Sequence, residues 1–309
     1  MNDELIDDLR LKNFKSISKL ISKIENFPLE SEEIVGELFP LTNNAFRIGI
    51  TGPPGAGKST ITNLLIKYFR KLDKSVGVLL VDPTSPFSGG SVLGDRVRMN
   101  MHYEDKRVFL RSLATRGSKG GLSSNIGDIA NILDAAGFDI IIFETVGVGQ
   151  VEIDVVEQVD SVVLVLVPES GDDIQILKAG IIEISDIFVI NKSDREGANK
   201  LFSSLESMLD LSVDKSNWKP KIINTIATQD FGVKDLCEIL LEHSKHRFIN
   251  KLNNNKINQR YLSKINNLIT KESLKRIWTK RNLKLLDNEI KKSANKRISP
   301  NKLLKKLLK

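Results

Sequence analysis

Cysteine is almost absent from the 309-residue chain, where Cys237 stands alone. A single thiol excludes a disulfide framework and any cysteine-based zinc site, and it points to a reducing, cytoplasmic setting. Histidine is nearly as scarce, with His102, His243 and His246 as its three positions. A His- or Cys-rich segment for handling a transition metal is therefore missing. His243 and His246 have the spacing to share a helix face and read as solvated surface residues. No stretch reaches the ~18 uninterrupted apolar residues of a membrane span. The opening MNDELIDDLRLKNF is acidic and polar, without the apolar centre of a secretory signal. What is left is a chain of about two domains, long enough to bury a core without covalent staples.

Charge of one sign is missing from one end. From Arg247 to Lys309, 19 basic residues face only Glu272, Asp287 and Glu289, a net of +16. The preceding residues carry 27 basic and 36 acidic side chains, a net of −9. An acidic body is thus followed by a basic, Asn-rich extension, with the border near His246. Phe248, Tyr261 and Trp278 form no evident stacking platform in that extension, which argues against a nucleic-acid arm. Lys and Asn on solvated helix faces are sufficient to explain its composition.

Hydrophobic patterning divides the chain into three. Over residues 1–45, Leu9, Leu11, Phe14, Ile17, Leu20, Ile21 and Ile24 recur at helical steps, as on one face. Residues 46–246 change grammar, with short β-branched runs alternating with helix-length spacers. The runs are RIGIT (47–51), VGVLLV (76–81), DIIIFE (139–144), SVVLVLV (161–167), DIFVIN (186–191) and KIINT (221–225). Continuous apolar strands of this kind predict a mostly parallel sheet covered on both faces, a doubly wound α/β domain. Residues 247–309 contain no strand-like run and read as a helical extension, with Leu262, Ile265, Leu268 and Ile269 at helical steps.

The sharpest motif is GPPGAGKST: Gly52, Pro53, Pro54, Gly55, Ala56, Gly57, Lys58, Ser59 and Thr60. It fits G-x-x-x-x-G-K-[ST] in full, after a strand and before a helix-like run. Glycines let backbone N–H groups turn onto phosphate oxygens, and the helix N-terminus adds positive partial charge. Lys58 would reach the β- and γ-phosphates, and the Ser59 hydroxyl would ligate Mg²⁺.

NKSD follows the strand DIFVIN, at the carboxyl edge where such sheets bind nucleotides. The Asp194 carboxylate can accept both hydrogen bonds from guanine N1 and its amino group, while Asn191 and Lys192 bond and stack on the ring. Adenine would leave Asp194 unpaired, which is costly. Ile226, Ala227 and Thr228, after the next strand, are placed to meet the base from its other edge. GTP, with GDP as product, is the expected nucleotide. Asp82, Asp95 and Glu144, with Ser59, are the candidate oxygens for Mg²⁺. The loops 83–94 and 144–150 read as segments ordered by the γ-phosphate and released after hydrolysis. Val148 stands where Ras-type enzymes place a water-orienting glutamine, so slow intrinsic hydrolysis is expected.

Four further segments, VDPTSPFSGGSVLGDRVRM, RSLATRGSKGGLS, ETVGVGQVE and PESGDDIQILKAGI, closely resemble the MeaB/ArgK/MMAA group of metallochaperone-type P-loop GTPases. The likeness runs from about Leu11 to His246 and also includes RLKNFKSISKLISKIEN. It implies a GTPase that attends an adenosylcobalamin-dependent acyl-CoA mutase, chiefly methylmalonyl-CoA mutase, gating cofactor loading and protecting or rescuing the enzyme. Adenosylcobalamin would belong to that client. The resemblance also implies a homodimer formed through the C-terminal extension, and catalytic roles for Lys58, Glu144 and Lys178, the last as a partner-responsive lysine in the loop 168–178. PESGDD replaces the glycine-rich start of that loop and keeps the acidic pair Asp172 and Asp173. Two alternatives stay open: a kinase or ATPase linked to amino-acid transport, and a GTPase metallochaperone for a different metalloenzyme.

Overall fold

The β-branched runs pair as one parallel sheet of seven strands in a computed structural model of the chain. The structure describes residues 3–27, 31–83, 102, 104–115, 121–145, 147, 151–169, 180–211, 218–250 and 252–308. The strands are β1 Phe46–Thr51, β2 Val76–Pro83, β3 Val108–Thr115, β4 Ile140–Thr145, β5 Ser161–Leu166, β6 Ile187–Asn191 and β7 Lys221–Thr225. Their order is β3-β2-β4-β1-β5-β6-β7. The chain leaves β1 toward one edge and leaves β4 toward the other, so the loops after these central strands diverge. That divergence opens the crevice in which doubly wound sheets bind ligands.

Helices cover both faces, because every inner strand is apolar on both sides. α4 (Lys58–Lys71) and α8 (Val233–Ile249) pack on Ile48, Ile50, Val78, Ile142, Val163 and Val189. α5 (Gly121–Ala135) and α6 (Val151–Gln158) cover the opposite face with Leu79, Val81, Ile141 and Phe143. α7 (Ala198–Leu211) covers Leu164, Phe188 and Ile190. The N-terminal α1 (Asp3–Arg10), α2 (Phe14–Asn26) and α3 (Glu32–Leu38) precede the sheet, and Ile17, Leu20, Ile21 and Ile24 of α2 join the α5 side of the core.

The N-terminal periodicity is broken once. Lys12 takes a left-handed φ of 52°. Asn13 caps α2 by accepting from Lys15 N and Ser16 N, and Leu11 is left 80% exposed in the intervening turn. Strand β3 lay hidden in the sequence, since Arg111 and Ser112 interrupt VFLRSLAT. It tolerates them as an edge strand, where Arg111 donates to Ser22 Oγ at 3.0 Å and Glu25 Oε2 at 2.5 Å on α2.

Entry into β1 is fixed by a buried carboxylate. Asp134 on α5 accepts from the backbone N–H groups of Asn43, Asn44 and Ala45 at 2.9–3.0 Å and from Arg47 Nη2 at 3.0 Å. Both side chains of that ion pair are 2% exposed or less.

A second buried cluster sits at the opposite edge of the sheet from the phosphate loop. His243, read from sequence as a solvated surface residue, is 2% exposed. Its Nδ1 meets Ser161 Oγ at 2.9 Å, its Nε2 lies 3.6 Å from Asp186 Oδ1, and its ring lies 4.5 Å from that of Trp218. His246 is half-buried, with its ring 5.3 Å from the same Trp218. Asp186 accepts from Val162 N at 2.8 Å. His243 reads as solvated in sequence because nothing local in helix α8 announces Ser161, Asp186 and Trp218, which only the fold brings to it.

The chain forms two compact units, Met1–Ile257 and Asn258–Lys309. α9 (Leu252–Ile277) begins in the first and carries the Asn253–Asn255 run in its first turn. In the second unit, α10 (Lys280–Ile290) and α11 (Pro300–Leu307) are joined by Asn282, which donates to Ile277 O at 2.7 Å and Leu307 O at 2.8 Å. Among the described residues no helix is long and apolar enough to cross a membrane.

Asp134→Ala strands the Arg47 guanidinium and three N–H groups, so we expect a loss of about 3–5 kcal/mol, read from the urea midpoint. The His243–Asp186 pair yields a pH signature. Burial lowers the His243 imidazole to about 3, assisted by Arg247 and His246, and raises the Asp186 carboxyl to about 6. The depressed histidine contributes stability above its ordinary value of 6.5 that is lost as pH falls toward 3. The raised aspartate contributes stability below its ordinary value of 3.8 that is lost as pH climbs through 6. The two slopes oppose each other between these limits. Urea titrations at pH 6.5 and 4.5 should show His243→Gln losing less stability on acidification than the parent chain, and Asp186→Asn losing more.

Candidate functional site

The phosphate loop occupies residues 52–57, between the carboxyl end of β1 and the first turn of α4, as its sequence requires. Gly57 ends the loop at φ 94°, and a Cβ there would stand 2.3 Å from Asn191 Nδ2. Only glycine meets both conditions. The Lys58 side chain is 7% exposed, and its Nζ donates to Gly52 O at 2.7 Å and Pro53 O at 2.9 Å. Thr60 is exposed on the outer side of α4, and Pro54 and Gly55 form the exposed rim of the loop.

Glu144 reaches the loop from β4. Its Oε1 accepts from Ser59 Oγ at 2.5 Å. A hydroxyl and a carboxylate thus meet beside the phosphate loop, and two hard oxygens with room for phosphate and water suit Mg²⁺. The residues present fit that ion. Asp82 lies in β2, in register with Ala114. Asp95, Lys178, Asp172, Asp173 and Val148 lie outside the described residues, as do positions 84–94 of the first expected switch.

Gly147 is the one described residue of the loop between β4 and α6. It has φ 94°, and a Cβ on it would fall 1.9 Å from Gly52 O and 3.1 Å from Lys58 Nζ. The loop therefore touches the phosphate loop through bare backbone.

Asn191 joins the two halves of the site. Its Nδ2 donates to Ala56 O at 2.8 Å, while its Oδ1 accepts from Thr225 Oγ1 at 3.0 Å and Ala227 N at 3.1 Å. The Ala227 N–H is thereby engaged with Asn191. Lys192 adopts φ 57°, and Ser193 N donates to Thr225 O at 3.1 Å. That turn leaves Asp194 exposed, on the same rim as the exposed Thr228. Ile226 bridges Phe231 in an antiparallel pair, and Asp230 then accepts from Lys67 Nζ at 2.8 Å and Tyr68 OH at 2.9 Å. These bonds brace the loop on α4, and the lysine bond holds the Asp230 carboxyl below its ordinary range.

Two site features escaped the motif reading. Thr51 Oγ1 accepts from Thr145 Oγ1 at 3.1 Å, and Thr51 bonds in turn to the Glu152 carboxylate on the first turn of α6. Glu152 lies inside ETVGVGQVE, but nothing in its spacing distinguishes it from an ordinary first-turn acid.

Fold and site together define a P-loop GTPase of the doubly wound α/β class. The family model described as methylmalonyl-CoA mutase-associated GTPase MeaB matches residues 16–282. A putative GTPase of Pyrococcus horikoshii is 52% identical over 246 residues, covering 79% of this chain and 78% of that protein. The GTPase ArgK of Escherichia coli is 34% identical over 218 residues, covering 69% and 65%. The mitochondrial methylmalonic aciduria type A homolog of Mus musculus is 39% identical over 215 residues, covering 68% of this chain and 51%, about half, of the mouse protein. A crystal structure described as an LAO/AO transport system kinase superposes with a TM-score of 0.73 at 22% identity, over 99% of this chain and 96% of that one, which shows a shared fold. The chain belongs to the MeaB family of methylmalonyl-CoA mutase-associated GTPases, and it is a GTP-hydrolysing enzyme.

Asn191→Ala removes three hydrogen bonds at about 1 kcal/mol each and frees the phosphate loop from the base loop. GDP affinity should fall by roughly 10–100-fold in calorimetric titration, with the thermal transition still cooperative.

Proposed function

We propose that the chain is a GTP-driven chaperone for an adenosylcobalamin-dependent acyl-CoA mutase of the methylmalonyl-CoA mutase type, gating cofactor loading and protecting or reactivating the enzyme. Support for the client comes from the family description and the name of the mouse relative. The observation that carries the nucleotide reading is Asn191, which ties the phosphate loop to the NKSD turn and so sets phosphate and base recognition in one frame.

In this reading Gly52 to Thr60 wrap the phosphates, and Lys58 leaves the loop carbonyls to meet the β- and γ-phosphoryl oxygens. Ser59 and Glu144 hold Mg²⁺, with Asp82 and Asp95 as further oxygens for the ion or its waters. Bound Mg²⁺ neutralises charge on the β- and γ-phosphates. Asp194 pairs with the guanine N1 and amino hydrogens, Asn191 and Lys192 flank the ring, and Ile226 to Thr228 close the other edge. Water attacks the γ-phosphorus, the bond to the β-phosphate oxygen breaks, and GDP departs with that electron pair.

Hydrolysis is slow in the isolated chain, because Val148 cannot orient the attacking water. Lys178, brought in when the mutase binds, supplies the missing positive charge. The extension 247–309 pairs two copies, and the assembly works in the cytoplasm. A GTPase of this kind drives its client only if the GTP and GDP forms bind the mutase differently.

The test is GTP turnover by the purified chain, alone and with methylmalonyl-CoA mutase, with ATP as the control nucleotide. We expect acceleration on the order of 10–100-fold by the mutase, abolished in Lys178→Ala. Unchanged turnover would assign a different client, and preferential ATP hydrolysis would overturn the guanine reading in favour of a kinase or ATPase.

A further inference from the structure

Glu152 is a buried acid that the nucleotide chemistry above does not use. It is 8% exposed, and its Oε1 is enclosed without a hydrogen-bond partner among the described residues. Its carboxylate is bonded to Thr51, the last residue before the phosphate loop, and Thr51 is itself held by Thr145 at 3.1 Å. Thr51 runs directly into Gly52, whose carbonyl accepts from Lys58 Nζ at 2.7 Å, so the Glu152 carboxylate is bonded one residue away from the anchor of the Lys58 ammonium. A first-turn acid gains from the helix dipole at the surface. Burial with an unmet acceptor reverses that advantage, because the desolvated oxygen costs more than the dipole returns. Burial accordingly pushes the Glu152 carboxyl above its ordinary range, against both the Thr51 bond and the Lys58 charge. A fixed negative charge here also opposes a polyphosphate, since both draw on the same ammonium in a poorly solvated site.

We propose that Glu152 is a positioning residue that competes with the β- and γ-phosphates for Lys58, weakening the hold on GDP and speeding its release. Thr145 and Thr51 fix the carboxylate so that the competition has a defined geometry. The chain thereby carries at the start of α6 part of what an exchange partner would otherwise supply. This inference rests on Lys58 meeting the β- and γ-phosphates. GMP, whose single phosphate falls short of Lys58, separates the charge effect from a general disturbance of the site.

The experiment measures fluorescent-GDP release, and GDP and GMP affinity, for the parent chain, Glu152→Gln and Glu152→Asp. Gln keeps the size and the acceptor for Thr51 while removing the charge; Asp keeps the charge. We expect Glu152→Gln to slow GDP release and tighten GDP binding by about tenfold, with GMP affinity unchanged within about twofold. Glu152→Asp should stay within about threefold of the parent in release. Unchanged or faster release in Glu152→Gln would overturn the proposal. So would an equal shift in GMP affinity, or an Asp variant as slow as the Gln variant. A parent chain that binds neither nucleotide would instead overturn the nucleotide reading beneath it.

Discussion

One carboxamide governs the geometry of the nucleotide site. Asn191 is 3% exposed at the end of β6, and three hydrogen bonds of its side chain hold two loops together. Because it bonds to the Ala56 carbonyl, the phosphate loop cannot drift independently of the turn that carries Asp194. Gly57 is the complement of that bond, since only a residue without a Cβ lets the loop approach the amide so closely. The distance between the phosphate loop and the NKSD turn is thus fixed by main chain and one buried side chain.

The sheet order gives that amide its reach. β1 and β4 are neighbours at the centre, and β5 and β6 continue to one side. The carboxyl ends of all four therefore lie along one rim. Ser59 and Glu144 meet there across α4 and β4, and Lys58 lies beneath the backbone of Gly147. Chemistry drawn from residues 85 positions apart is assembled there. At the other end of the strands, Ser161, Asp186, Trp218 and His243 form a polar cluster.

The sequence was most legible where a local rule has a single physical cause. Continuous β-branched runs announced the inner strands, and glycine spacing announced the phosphate loop. NKSD was read from its order and distance downstream of the phosphate loop, since a polar turn after a strand is by itself common. Legibility failed where tertiary context overrides local pattern. β3 carries Arg111 in mid-strand, a choice that makes sense only beside Glu25 of α2. His243 looked solvated because its partners come from β5 and from the segments flanking β6 and β7. Leu11 matched a helical period but fell in the turn that Asn13 creates by capping α2. Glu152 carries no sequence mark at all, since burial and an unmet oxygen are properties of the folded chain.

The contact between Gly147 and Gly52 has a mechanical meaning. Two stretches of main chain mesh there without any side chain between them, like the teeth of paired gears. A side chain can absorb a small displacement by changing rotamer, whereas packed backbone transmits it at full amplitude. A shift of the Gly52 carbonyl must therefore reach Gly147 undiminished, which makes the phosphate loop and that point of the following loop one lever rather than two adjacent parts.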